Sequence, residues 1–145
     1  MDLVGLEPLP DGAQAPSAAR ALVRQRLDAW GLGDLLDPVV LLVSELVTNG
    51  VVHTTGPVLL GVDRQGAGVL VRVLDSSPVL PVRRRRSTSA TTGRGVAMLE
   101  DLADEWGVHR LDHGKVLWFC LTGSGAGAWT SFDAEVALAE AGGEL

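Results

Sequence analysis

From residue 17 onward the apolar positions recur at helical spacing. Ala19, Leu22, Val23, Leu27 and Trp30 form one stripe, with Arg20, Arg24 and Asp28 off it. Ser17 is expected to cap this helix and Gly31 to stop it. A second helix is expected to start at Asp37, an N-cap with Pro38 at the first helical position, and to run past Asn49. The period then changes to two. Residues 57–63 (PVLLGVD) and 68–75 (GVLVRVLD) predict a hairpin around the turn RQGAG. Residues 105–111 (EWGVHRL) and 115–121 (KVLWFCL) predict a second hairpin around DHG. Between the hairpins, residues 76–95 show no period and are rich in turn and charged residues, a loop long enough to be functional. A third helix follows, with Val96, Leu99 and Leu102 inward. The proline-containing first fifteen residues, with their PDG turn, read as an arm with a short edge strand at 3–6.

This order is helix, helix, strand, strand, long loop, helix, strand, strand. Strands that come in hairpin pairs, rather than alternating singly with helices, favour an α+β fold over a doubly wound sheet. The expected architecture is a two-layer sandwich, with helices packed on one face of a mixed, mostly antiparallel sheet. The chain divides into an arm (1–15), one domain (16–122), and a glycine-rich linker with a weak alanine-rich helix (123–145).

Composition narrows the setting. Of 145 residues, 46% are hydrophobic and 21% charged, an ordinary globular balance. The single cysteine, Cys120, falls in a predicted buried strand and rules out a disulfide framework. The N-terminal stretch does not read as a signal peptide, and uninterrupted apolar runs are short, so the cytoplasm is the expected location. A net charge of −6 argues against direct contact with nucleic acid. Yet five of the twelve basic residues lie between Arg83 and Arg94, and Lys115 is the only lysine. An acidic chain thus concentrates its positive charge in one loop.

Three groups carry candidate chemistry. Glu45, Asn49 and His53 stand four residues apart, on one helical face, amid Leu42, Leu46, Val47, Val51 and Val52. Burying such groups unpaired is costly. Either Asn49-Gly50 is a helix end with Glu45 in water, or the carboxylate and amide serve a hydrated magnesium ion, which prefers oxygen ligands. Asp75, ending an apolar strand, is either a turn cap or an acceptor for a ligand amine. Gly93 and Gly95 open the third helix. They form either a plain junction or a place where backbone and helix N-terminus approach phosphate. His109, Asp112 and His113 straddle a hairpin turn and diverge across two faces, a poor arrangement for a metal.

Together, a helix with E-x-x-x-N-x-x-x-H, a strand ending in aspartate, a long loop and a G-x-G helix resemble the GHKL ATP-binding family. The blocks VVLLVSELVTNGVVHT, VRVLDSSP, GRGVAML and GKVLWFCL more closely resemble its stand-alone anti-sigma-factor serine/threonine kinases, over about residues 15–122. The resemblance implies the GHKL fold, with ATP and Mg2+ as cofactors. It implies Glu45 as general base, Asn49 as magnesium ligand, Asp75 as acceptor of the adenine N6 hydrogen, and residues 76–92 as a lid. The implied nucleotide-binding set is Asn49, His53, Asp75, Ser77, Arg86, Gly93, Arg94, Gly95 and Val96. The Arg83–Arg86 run would shield triphosphate charge or meet an acidic partner. Such a protein would sequester a sigma factor and phosphorylate an antagonist (anti-anti-sigma) protein, as a homodimer away from the membrane. The family's strand-end motif continues D-x-G-x-G, whereas here Asp75 is followed by Ser76, Ser77, Pro78 and Val79. That departure leaves an alternative: a non-catalytic module that holds ATP, or nothing, and acts by sequestering its partner.

Overall fold

The computed structural model describes residues 3–77 and 98–123. In chain order the elements are β1 (Glu7–Pro8), α1 (Gln14–Ala29), a 3-10 turn (Gly33–Leu35), α2 (Leu36–His53), β2 (Leu59–Gln65) and β3 (Gly68–Asp75). A helical segment at residues 98–102 follows, and then β4 (Glu105–Leu111) and β5 (Gly114–Thr122). The sheet order is β1-β2-β3-β5-β4, and every pairing among the described strands is antiparallel. Most of the expected lid, with the Arg83–Arg86 run, and the expected C-terminal helix lie outside the described residues.

The two-layer α+β sandwich follows from where the stripes point. Ala15, Ala19, Val23 and Leu27 of α1 and Val39, Leu42, Val43, Leu46 and Val47 of α2 are buried together. They pack on Leu60 and Val62, Val69, Val71 and Val73, and Leu117, Phe119 and Leu121, which strand alternation puts on one face of the sheet. Leu99 joins this core, and Leu102 packs at its margin. Helix Gly33–His53 has a mean hydropathy of 1.7, long and apolar enough on those grounds to cross a bilayer. Its apolar stripe instead faces α1 and the sheet. The opposite sheet face is buried too, at Leu70, Arg72, Val116, Trp118 and Cys120.

Four boundaries differ from the expectation. α1 begins at Gln14 with Ala13 as an N-cap that makes no side-chain bond, rather than at Ser17. The first helical turn tolerates Pro16, whose missing N–H would have had no intrahelical partner, and Ala15 gains a buried position. α2 begins at Leu36 after the 3-10 turn, so Asp37 and Pro38 lie inside its first turn; the buried Leu35 anchors the turn. β2 excludes Pro57, which lacks an N–H, and runs to Gln65, where Gln65 pairs with Gly68 to close a two-residue turn. The edge strand is Glu7–Pro8 rather than 3–6, because the chain turns at Leu3–Leu6 and pairs with Leu60 and Leu59 only afterwards. Arginines fasten this arm. Arg72 donates to the Val4 carbonyl at 3.0 Å, and Arg26 donates to Glu7 at 2.6 Å and to the Val62 carbonyl at 2.9 Å.

Candidate functional site

The last three turns of α2 separate two kinds of residue. Leu42, Val43, Leu46, Val47 and Gly50 are buried, whereas Glu45 and Asn49 are half-buried and His53, the final helical residue, is exposed. Asn49 Oδ1 is sealed from solvent with no hydrogen-bond partner among the described residues. A buried amide oxygen left unmatched forfeits about 1–3 kcal/mol, so it marks a place for a donor or a cation.

Asp75 ends β3 on the same face as Val69, Val71 and Val73, and therefore on the helix side of the sheet. It is 6% exposed. Directly opposite in the β3–β5 ladder stands Lys115, also buried, whose Nζ lies 2.7 Å from Asp75 Oδ1. The Ser77 backbone N–H donates to the same Oδ1 at 3.0 Å, and Lys115 reaches the Ser77 carbonyl at 3.4 Å. Asp75 thus does cap the turn after its strand, as one of the two readings had it. It also meets α2: a Cβ added to Gly50 would lie 3.3 Å from Asp75 Oδ2 and 3.2 Å from Val58 Cγ2. Glycine lets the helix touch the strand end. The Thr54 and Ser76 hydroxyls hydrogen-bond across the loops that leave α2 and β3, and Gly56 N–H donates to Thr54 at 3.1 Å. At the start of β5, Gly114 has φ +132°, and any side chain there would overlap the Asp75 carbonyl.

The fold therefore brings α2 and the end of β3 together at Gly50, the residue directly after Asn49. Residues 10–121 match the family model described as the histidine kinase-like ATPase domain. The chain belongs to this family. No curated protein matches it. As a GHKL-type ATPase domain it is an ATP-binding, nucleotide-binding fold, and domains of this kind usually take ATP with Mg2+. The chain's residues fit such an ion. A buried amide oxygen with no partner among the described residues, one helical turn from a carboxylate, is the hard oxygen donor that magnesium prefers.

Of the residues expected to serve the nucleotide, Asn49 directly precedes Gly50 (the residue that meets Asp75), Ser77 is held by its backbone against Asp75, and His53 lies at the exposed helix end. Arg86, Gly93, Arg94, Gly95 and Val96 lie outside the described residues. Two residues packed against Asp75 are not singled out as site residues by the sequence reading. Gly50 looked like a helix-stop signal, whereas α2 continues three residues beyond it. Lys115 did carry a signal, as the chain's only lysine at the second position of an otherwise apolar strand. Its partner becomes visible only through the strand register.

Proposed function

We propose that this ATPase domain is a cytoplasmic serine/threonine protein kinase of the anti-sigma type. It would hold a sigma factor and phosphorylate an antagonist protein that competes for it. The observation that carries the reading is Asn49 Oδ1, buried and without a partner among the described residues, one turn after Glu45 on the helix that meets Asp75. In the reaction the acceptor serine oxygen bonds to the γ-phosphorus. The bond from that phosphorus to the β,γ-bridging oxygen breaks, its electron pair leaving on ADP, and the hydroxyl proton passes to the Glu45 carboxylate. Asn49 would hold Mg2+, which when bound neutralises charge on the phosphate oxygens. Asp75 would orient the base from the strand end.

A second reading has one observation in its favour. Ser77, Pro78 and Val79 replace a glycine-bearing segment directly after Asp75, which suits a module that sequesters its partner without transfer. Two variants separate the readings when transfer rate, ATP affinity and melting temperature are measured on each. Glu45→Ala is expected to lower phosphoryl transfer by about 10²–10⁴ while ATP and sigma-factor binding persist. Asn49→Ala is expected to lose magnesium-dependent ATP binding as well. Equal loss of stability in both, with unchanged specific activity, would give these residues to the fold and overturn the kinase reading.

A further inference from the structure

Asp75 carries two oxygens that the fold treats differently. Oδ1 receives the Lys115 ammonium at 2.7 Å and the Ser77 N–H at 3.0 Å. Oδ2 faces Gly50 and accepts no hydrogen bond from the described residues. A carboxylate is two-fold symmetric, so nothing intrinsic distinguishes its oxygens; two fixed donors on one of them do. We propose that Lys115 is a positioning residue for base recognition: by occupying Oδ1 it leaves Oδ2 to accept a hydrogen from the exocyclic amino group of a purine. The inference rests on the reading of Asp75 as the base-contacting carboxylate.

The chemistry is that of an acceptor-only group. An ionised carboxylate attracts an amino group and repels a carbonyl at the same position of the ring. Lys115 could blur that choice, since an ammonium donates to a carbonyl. Its reach to both Oδ1 and the Ser77 carbonyl turns its hydrogens toward the protein, and its burial at 7% exposure holds it there. Gly50 completes the arrangement by leaving the Oδ2 side without a Cβ. The strand register supplies the rest, because Lys115 is the residue opposite Asp75 and β5 cannot slip by one without turning Lys115 to the other sheet face.

The test compares ATP with inosine triphosphate, which replaces the amino group by a carbonyl and keeps the sugar and phosphates. Calorimetric titration of the full chain with magnesium is expected to show ATP binding at least tenfold tighter. In Lys115→Met that ratio should fall toward one, and in Lys115→Arg, which keeps a cationic donor for Oδ1, most of it should return. A merely structural lysine would lower the melting temperature of Lys115→Met and leave the ratio unchanged, and that result would overturn the inference. If Lys115→Met does not fold, Lys115→Gln is read in the same way: a lowered ratio supports the role and an unchanged one removes it. Absence of heat with either nucleotide in the unaltered chain would instead bring down the nucleotide reading of Asp75, and this inference with it. Selective ATP binding that survives in Lys115→Met would remove this inference alone.

Discussion

Asp75 faces two demands that separate under mutation. As a base acceptor it would contribute a charge-assisted hydrogen bond, and as the partner of Lys115 it neutralises a buried ammonium. Asp75→Asn is therefore expected to weaken ATP binding at least tenfold, the equivalent of about 1.5–3 kcal/mol. It should also lower stability, since removing one partner of a buried ion pair typically costs about 3–5 kcal/mol. The retained amide oxygen puts this variant at the lower end. Combining Asp75→Asn with Lys115→Met should restore most of the stability and none of the affinity. Denaturant unfolding and calorimetric titration of the single and double variants read the two effects separately. By contrast Glu7–Arg26, with side chains 49% and 33% exposed, is a surface pair, and Glu7→Ala should cost under about 1 kcal/mol by the same unfolding measurement.

At the scale of elements, two glycines set how α2, β3 and β5 meet. Gly114 combines φ +132° with a backbone approach to Asp75 that leaves no space for a side chain. Gly114→Ala should lose about 2 kcal/mol or more, visible as a lowered denaturation midpoint. Gly50→Ala is a closer contest. Alanine gains about 1 kcal/mol of helix propensity over glycine. Its Cβ, however, would press on Val58 and Asp75 at 3.2 and 3.3 Å, and overpacking of this kind typically costs about 1–3 kcal/mol. Net stability should change by no more than about 1–2 kcal/mol, the difference of those terms. ATP affinity should fall several-fold, because Asp75 Oδ2 is the atom displaced. A thermal melt beside a titration distinguishes a packing effect from a site effect.

For the whole molecule, a ligand that binds only the folded chain must stabilise it. Mg-ATP at a hundred times its dissociation constant should add about 2.7 kcal/mol, seen as a raised melting temperature that Asn49→Ala abolishes. The proposed kinase is also expected to be a homodimer, which sedimentation would show directly. A monomer at micromolar concentration would refute that expectation without touching the site. Assembly would not alter the internal layering, because α1, α2 and the sheet already bury one continuous core within a single chain.

The amino-acid sequence by itself determined the identity and order of the main elements. A stripe at 3.6 residues or an alternation at two records how much of each element faces a core, and burial is the largest favourable term in folding. It also determined the polar line Glu45–Asn49–His53 and the strand ending in Asp75, because polar groups stand out against an apolar background. The tertiary structure decided the element ends, where the burial of Ala15 and Leu35 outweighed the capping signals of Ser17 and Asp37. It decided that the edge strand pairs at Glu7–Pro8. Above all it decided the partners of Asp75. Gly50 and Lys115 lie 25 and 40 positions away along the chain, and no local period connects them to Asp75. Strand register and helix docking, each fixed by burying many side chains at once, bring the three together.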